Sequence, residues 1–261
     1  MFAMACTGLC LGTAWAEKLV MKGSTTVLPI AQKAAEEFMN DYPDVQISVS
    51  GGGSGNGIKA LVDGTTDIAN ASRFIKQEEV ERAVENGHYP VPFGIAFDCI
   101  VPVVHNSNPV DNLSIEQLKK IYEGRIKNWS EVGGKDMQIV VVSRDTSSGT
   151  YEVWEEKVLE GGRVFPGALL QASNGAVVQA VSKNKFAIGY IGLSYLDEDV
   201  KGLEVNGVMA SKDTAAAYPI SRSLYMFTDG WPGGVTMQFM NYVMHPDKGQ
   251  KIVESVGYGP L

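Results

Sequence analysis

The architecture follows from one segment, Ile139-Val140-Val141-Val142-Ser143-Arg144-Asp145-Thr146-Ser147-Ser148-Gly149-Thr150. It opens on a continuous apolar run, which is typical of a central strand in a parallel sheet. A cluster of Ser, Thr and Gly follows at once, and Tyr151, Trp154 and Val158 then continue at helical spacing. The segment therefore predicts a strand, a polar turn and a helix, in that order.

Two earlier segments have the same design, in which a β-rich run stops at a polar cluster and a helical pattern follows. They are Lys22-Gly23-Ser24-Thr25-Thr26-Val27-Leu28-Pro29 and Ser50-Gly51-Gly52-Gly53-Ser54-Gly55-Asn56-Gly57. A helix N-terminus carries unpaired N–H donors and a partial positive charge, so it is a natural anion site. The three turns together predict convergence on one anion with several oxygen atoms.

Strand and helix patterns alternate along the rest of the chain, which predicts an α/β fold with a parallel sheet. Strands are predicted at 19–21, 45–49, 68–71, 93–104, 139–142, 186–191 and 224–227. Helices are predicted from Pro29 to just before Pro43 and at 58–62, 78–85, 115–121, 151–159, 235–244 and 247–256.

The composition is that of an ordinary globular protein: 261 residues, 44% hydrophobic, with a formal net charge of −8. Nucleic-acid binding would need a basic face, so this acidic chain predicts no nucleic-acid partner. An acidic protein that binds an anion must build positive potential locally, from helix termini and a few Arg or Lys side chains.

The N-terminal stretch from Phe2 to Ala16 is uncharged and ends in Ala14-Trp15-Ala16, an A-x-A-type cleavage site. We predict a signal peptide over residues 1–16, cleaved after Ala16, although no Lys or Arg precedes its apolar run. The alternative is a buried N-terminal helix. A membrane-spanning helix fits less well because the run is shorter than the ~20 residues that a bilayer needs.

The cysteines agree with export. Cys6 and Cys10 lie inside the predicted signal peptide, and the residues before each fit a lipid-anchor site poorly, so soluble export is expected. Cys99 would then be alone in the mature chain, without an intrachain disulfide. It lies in an apolar β-rich run, which predicts a buried and unreactive thiol.

Arg144 is the foremost candidate for anion binding, because a guanidinium at the end of a strand can grip two oxygens of a tetrahedral anion. Asp145 beside it could orient that guanidinium or cap the helix. The alternative is that Arg144 is a surface residue paired with Asp145. Arg73 follows Ser72 at the end of another predicted strand. Its side chain could face the same anion-binding cleft as Arg144 or point to solvent.

Nucleotide and catalytic motifs fail on spacing. The glycine cluster lacks the third Gly of a dinucleotide fingerprint, and Gly57 is followed by Ile58 rather than by the Lys of a P-loop. His88, His105 and His245 all lie away from the polar turns in sequence. Without a metal-ligand pattern or a nucleophile elbow, the sequence predicts no metal site, no cofactor and no catalysis.

From about Leu19 to Leu261, the chain resembles the phosphate-binding solute receptors of bacterial phosphate ABC transporters, the PstS-like proteins. No single segment is specific for this family, but the set of segments is. The segments that carry the resemblance are Gly23-Ser24-Thr25-Thr26-Val27, Gly53-Ser54-Gly55-Asn56-Gly57-Ile58-Lys59, Ala71-Ser72-Arg73, residues 108–113, 121–129 and 143–150, and Ala187-Ile188-Gly189-Tyr190.

The resemblance implies a two-lobed periplasmic-binding-protein fold of type II. Each lobe would be a central sheet flanked by helices, with a ligand cleft between the lobes and two chain crossings, near 93–104 and 224–227. The implied lobes are residues 17–104 plus 219–261, and residues 105–218. Ligand binding would close the hinge, and the closed form would dock on a membrane permease.

Carried over by position, the resemblance implies four groups of phosphate contacts. They are Thr25, Thr26 and Val27; Ser54; Ser72 and Arg73; and Arg144, Ser148, Gly149 and Thr150. Many family members have Asp at the position of Arg73, and that carboxylate accepts the proton that phosphate carries and sulfate lacks. Asp98 and Asp145 are the candidate replacements for this acceptor in the present chain.

The implied function is periplasmic binding of inorganic phosphate by a monomer, followed by delivery to an ABC-type importer. Two alternatives remain open at this point. One is a receptor for another oxyanion such as sulfate, molybdate or arsenate. The other is a phosphate-sensing or phosphatase-like protein built on the same lobes.

Overall fold

The structure is a computed structural model that describes residues 16–261. The predicted signal peptide, apart from Ala16, lies outside the described residues, as do Cys6 and Cys10. From residue 16 onward, no helix has both the length and the apolar character needed to cross a membrane.

Strands and helices alternate through most of the chain, as predicted. The strands are β1 (Glu17–Gly23), β2 (Val45–Gly52), β3 (Ile68–Ala71), β4 (Pro90–His105), β5 (Asn112–Leu113), β6 (Val140–Arg144), β7 (Leu169–Gln171), β8 (Ala187–Gly192), β9 (Val200–Gly202), β10 (Glu204–Val205) and β11 (Ser221–Asp229). The helices are α1 (Leu28–Asp41), α2 (Ser54–Val62), α3 (Gln77–Glu85), α4 (Ile115–Tyr122), α5 (Gly149–Lys157), α6 (Asn174–Ser182), α7 (Gly234–Met244) and α8 (Gly249–Ser255).

The main sheet has the strand order β2-β1-β3-β11-β4-β8-β6-β7, with β9 beside the end of β4. Strands β1, β2 and β3 are parallel, and so are β6, β7 and β8. The two central strands, β4 and β11, are antiparallel to each other and to their outer neighbours. The predicted parallel sheet is therefore a mixed one, because β4 carries the chain out of the first group of strands and β11 brings it back.

Separate hydrophobic cores divide the molecule into two lobes. Phe38, Phe239 and Tyr258 belong to the core under β1–β3, β11, α1, α7 and α8, with a smaller cluster under α2 and α3. Trp129 and Trp154 belong to the core around β5–β10 and α4–α6. We call the first body lobe 1 and the second lobe 2; strand β4 contributes to both.

Strand β4 is the outward crossing. Its first part, as far as Cys99, pairs with β11 in lobe 1, and from Ile100 onward it pairs with β8 and β9 in lobe 2. The chain returns just before β11, where Ile220 O accepts a hydrogen bond from Ile100 N. The pairing thus changes inside the predicted crossing at 93–104, whereas the return comes earlier than 224–227. The boundaries 17–104, 105–218 and 219–261 stay a prediction.

Cys99 lies at this crossing and is completely buried as a free thiol. Burial raises the pKa of its thiol to about 12, with the neighbouring Asp98 charge adding to the effect. The thiol is therefore protonated at neutral pH and unreactive, as the sequence predicted.

Candidate functional site

The turn after β1 presents two threonines to the opposite lobe. Ser24 Oγ accepts hydrogen bonds from the backbone N–H of Thr26 and of Val27, at 3.1 and 3.3 Å, and so folds the turn that begins α1. Val27 packs its side chain into the lobe 1 core. Thr25 and Thr26 are buried instead where lobe 1 meets lobe 2.

Thr26 is the meeting point of four elements. Its Oγ1 accepts hydrogen bonds from Asn174 Nδ2 on α6 and from Arg222 Nη2 on β11, each at 3.1 Å. The same oxygen lies 3.1 Å from Thr150 Oγ1 on α5. Since Asn174 and Thr150 belong to lobe 2, these contacts cross the cleft.

Two serines of lobe 1 lie against the N-terminus of α5. Ser54 Oγ is 3.2 Å from Ser72 Oγ and accepts a hydrogen bond from the backbone N–H of Ser72 at 3.0 Å. A Cβ built on Gly149 would lie 2.4 Å from Ser54 Oγ and 2.9 Å from Ser72 Oγ. Only glycine at position 149 lets the lobes approach this closely.

The turn between β6 and α5 is shaped by its own side chains. Ser148 Oγ caps α5 by accepting the Tyr151 N–H at 3.3 Å, and Asp145 Oδ1 accepts the N–H and the hydroxyl of Ser147. The carbonyl oxygen of Ser147 in turn accepts Gly55 N–H from lobe 1 at 3.0 Å. Asp145 is therefore engaged within its turn, which weakens its candidacy as the acceptor for a phosphate proton.

Arg144 is almost completely buried, at 1% exposure, so the alternative of a surface residue is wrong. Its Nε and Nη2 donate to the carbonyl oxygens of Gln171 and Ala172, at 3.0 and 3.1 Å. Nη1 has no hydrogen-bond partner among the described residues. Burial lowers the pKa of Arg144, but an arginine side chain stays charged in proteins, so the end of β6 carries a buried cation with a free donor, near the charge of Arg222.

Arg222 adds a second buried cation, and Asp98 compensates its charge. The two residues lie opposite each other on β11 and β4, with Nε and Nη2 of Arg222 each 2.8 Å from Asp98 Oδ2. Asp98 Oδ1 also accepts Leu193 N–H from lobe 2 at 2.9 Å. Complete burial raises the pKa of Asp98 above its ordinary value, against the attraction of Arg222. Asp98 thus borders the site through Arg222.

The structure does not bring Arg73 into the site. Its Nη1 and Nη2 donate to the two carboxylate oxygens of Glu79 at 2.8 and 2.7 Å, and its Nε lies 2.8 Å from Glu152 Oε2. Two carboxylates thus engage the guanidinium of Arg73 in this structure, which weighs against its predicted anion contact; that contact stays a prediction. The residue whose hydroxyl reaches the site from the end of β3 is Ser72.

Three contributors were missed in the sequence: Asn174, Arg222 and Tyr195. Besides its contact with Thr26, Asn174 Nδ2 donates to Thr25 Oγ1 at 3.2 Å, and Tyr195 Oη donates to the Thr25 carbonyl oxygen at 2.6 Å. A signal for Asn174 existed, because Ser173-Asn174-Gly175 is a fourth polar turn at a helix start. Arg222 lies inside a strand and carries no comparable local signal.

Comparison with known proteins supplies the family. A family profile described as PBP superfamily domain matches residues 12–247. The phosphate-binding protein PstS of Bacillus subtilis is 34% identical over 247 residues, which cover 93% of this chain and 80% of the relative. The chain belongs to the PstS family of the PBP superfamily. Another PstS, from Staphylococcus saprophyticus, is 35% identical over 92% of this chain and 79% of the relative.

Solved structures agree with membership of the PstS family. A phosphate ABC transporter substrate-binding protein from Clostridium perfringens, crystallised with bound phosphate, superposes with a TM-score of 0.87 at 33% identity, covering 94% of this chain and all of that one. An ABC-type phosphate transport receptor from Vibrio cholerae gives a TM-score of 0.74 at 30% identity, over 93% of this chain and 100% of that chain. The periplasmic-binding-protein fold implied by the resemblance is confirmed.

Proposed function

We propose that this protein binds inorganic phosphate in the cleft between its lobes and delivers it to an ABC-type phosphate importer. The observation that carries the proposal is the buried guanidinium of Arg144, whose Nη1 has no protein partner within residues 16–261. A buried charge without a counter-charge is costly, and a bound anion offsets that cost. The relatives named above bind phosphate according to their names, which supports the choice of anion.

The charge balance of the cleft favours an anion over a neutral ligand. Asp98 compensates Arg222, and Glu79 and Glu152 compensate Arg73. Arg144 makes no ion pair in the described structure, and only the nearby charge of Asp145 attracts it. The N-terminus of α5 adds its partial positive charge from lobe 2.

The hydroxyl groups of the cleft suit phosphate in particular. A serine or threonine hydroxyl can donate to a bare phosphate oxygen and can also accept from a protonated one. Thr26, Ser54, Ser72 and Thr150 supply such groups from both lobes. We propose these four with Arg144 as the principal ligands, supported by the side chains of Thr25 and Asn174 and by the backbone at Val27, Ser148 and Gly149.

The protein would bind and release its ligand unchanged. Each histidine of the described chain is engaged elsewhere: His88 with Asp229, His105 with Ser107 and His245 with the backbone of Asp247. No histidine of the described chain therefore stands beside a cleft hydroxyl as a general base for phosphatase chemistry. Hydrolysis of a phosphomonoester such as p-nitrophenyl phosphate should stay at background.

The biological setting belongs to the same proposal. We infer a periplasmic monomer, released by cleavage of the signal peptide after Ala16, which presents its closed form to the membrane permease. The lobes meet through direct contacts across the cleft, such as Tyr195 to Thr25 and Asn174 to Thr26, so a docking permease could distinguish the closed form.

Calorimetric titration with phosphate, sulfate, arsenate and molybdate tests the proposal. We expect phosphate to bind most tightly, with arsenate next because it shares the shape and protonation of phosphate. Sulfate should bind more weakly, because it brings no proton for the hydroxyl oxygens to accept. Equal affinities for phosphate and sulfate would show that the protein is a general oxyanion receptor. Absence of phosphate binding would refute the proposal.

A further inference from the structure

A cluster of four charged side chains closes the mouth of the cleft. Arg73, Lys76 and Glu79 come from lobe 1, at the end of β3 and the start of α3, and Glu152 comes from α5 in lobe 2. Oε2 of Glu152 lies 2.8 Å from Arg73 Nε and 2.7 Å from Lys76 Nζ. These two ion pairs connect the lobes, whereas the pair of Arg73 with Glu79 lies inside lobe 1.

The cluster is too well enclosed to be an ordinary surface ion pair. The side chains of Arg73, Glu79 and Glu152 are 7, 17 and 14% exposed, and Lys76 alone reaches well into solvent, at 47%. Ion pairs shielded in this way are screened by salt less than surface pairs and contribute more. The two positive and two negative charges also balance, so the cluster needs no further ion.

Glu79 fixes the guanidinium of Arg73 on lobe 1 in the position where it contacts Glu152. It holds the guanidinium of Arg73 through two parallel hydrogen bonds, and one of its oxygens also accepts the backbone N–H of Lys76 at 2.9 Å. All these groups belong to lobe 1 and keep their arrangement when the lobes separate. An arginine fixed by such a fork loses little entropy when a second carboxylate arrives.

We propose that Glu152, held by Arg73 and Lys76, is a latch that keeps the lobes closed over the bound anion and sets the rate of its release. The latch rests on the function proposed above and deepens it. Glu152 is a positioning residue: it lies in the first turn of α5, next to Thr150 and Gly149 of the site, and acts through closure. Opening the cleft breaks both inter-lobe ion pairs, so the closed state is favoured and the apparent affinity rises with its population.

The matched variants are Glu152→Gln and Glu156→Gln. Both remove one negative charge from α5, but Glu156 is exposed and makes no ion pair in the described structure. We expect phosphate to dissociate about tenfold faster from the Glu152→Gln variant, with its association rate nearly unchanged, since partly buried ion pairs exceed the worth of exposed ones. The Glu156→Gln variant should release phosphate like the unaltered protein. Stopped-flow displacement of bound phosphate measures both rates.

A Lys76→Gln variant and the double variant Lys76→Gln/Glu152→Gln test whether the effect passes through the ion pair. With a latch, the double variant releases phosphate no faster than the Glu152→Gln variant alone. Multiplying effects would overturn the proposal, as would a Glu152→Gln variant that releases phosphate at the normal rate.

Small-angle scattering of the phosphate-free protein separates failure of the latch from failure of the proposed function. The latch predicts a larger radius of gyration for the Glu152→Gln variant than for the unaltered protein and the Glu156→Gln variant. This comparison stays valid even if phosphate is not the ligand. Identical radii for the three proteins would overturn the latch and leave phosphate binding intact.

Discussion

Two arginines at the ends of two strands show how one residue type serves two purposes in this cleft. Arg73 follows β3 in lobe 1 and Arg144 ends β6 in lobe 2, and both are nearly buried, at 7 and 1% exposure. Arg73 meets the carboxylates of Glu79 and Glu152. Arg144 meets only carbonyl oxygens and keeps one free donor.

The difference lies in the charge balance around each guanidinium. At the mouth, the carboxylates of Glu79 and Glu152 balance the charge of Arg73, although its Nε makes no hydrogen bond of good geometry. Arg144 makes no ion pair among the described residues, and only the nearby Asp145 charge attracts it, so a bound anion would supply the missing ion-pair partner. Two residues at corresponding positions thus divide closure and binding between them.

Replacement of Arg144 should have the largest effect. In the Arg144→Ala variant we expect phosphate affinity to fall about 100-fold, because the charge-assisted hydrogen bond from the free Nη1, which contributes about 1.5–3 kcal/mol, would be lost. Calorimetry measures the affinity. Circular dichroism of the phosphate-free variant checks that the fold persists, because the variant also loses the hydrogen bonds to Gln171 and Ala172. Arg144→Lys, which keeps the charge without the fork, should lie between the two. Normal binding by Arg144→Ala would show that the anion lies elsewhere.

A methyl group at the contact between the lobes should have the next largest effect. In Gly149→Ala, the new Cβ would lie 2.4 Å from Ser54 Oγ in the closed form. Overpacking of this kind costs about 1–3 kcal/mol, so we expect affinity to fall about 10- to 100-fold. The control is Gly175→Ala, at another helix start, where a Cβ meets nothing within 4 Å. If both variants bound phosphate equally well, closure at Gly149 would not be part of binding.

Loss of the Asn174 amide should have a smaller effect. Asn174→Ala removes the donor to Thr25 and Thr26, so the threonine hydroxyls are no longer oriented from lobe 2. Loss of a buried hydrogen-bond partner costs about 1–3 kcal/mol, and we expect about a tenfold lower phosphate affinity. Gln179→Ala, at an exposed position of the same helix, is the control. An effect no larger than that of the control would remove Asn174 from the site.

The smallest effect should be that of Glu79 on the free energy of unfolding at low pH. Burial alone would raise the pKa of Glu79, but hydrogen bonds from Arg73 and from the Lys76 backbone outweigh it and lower the pKa. A lowered carboxylate pKa contributes stability that is complete above the ordinary value of about 4.3 and is lost as the pH falls below it. The free energy of unfolding of Glu79→Gln should lack this acid dependence; an unchanged acid dependence would contradict the assignment.

Local patterns were enough to find most elements and the three polar turns. The apolar run 139–142 and the cluster after it became β6 and the start of α5, and Pro29 lies in the first turn of α1, one residue after its start. Such features depend on neighbours in sequence, because periodicity and helix caps are local properties. Arg144 was selected because it comes directly after an apolar run, and the structure shows that it is buried.

The rest depends on partners distant in sequence. Helix α6 was not predicted, because Val177, Val178 and Val181 are equally typical of a strand. Asn174 lies in the first turn of this helix and was therefore not predicted as a site residue. Arg222 looks like any charged residue on a strand until Asp98 pairs with it. Glu152, which holds Arg73, comes from the other lobe. The antiparallel direction of β4 and β11 likewise follows only from the path of the chain between lobes.

A crystal structure of the protein grown with phosphate would show which arginine binds the anion. We expect a phosphate between the lobes, with an oxygen about 3 Å from Arg144 Nη1 and others within hydrogen-bond distance of the Thr26 and Thr150 hydroxyls, while Arg73 stays on Glu79 and Glu152. A phosphate bound by Arg73, or one bound away from Arg144 with the cleft floor unchanged, would contradict it.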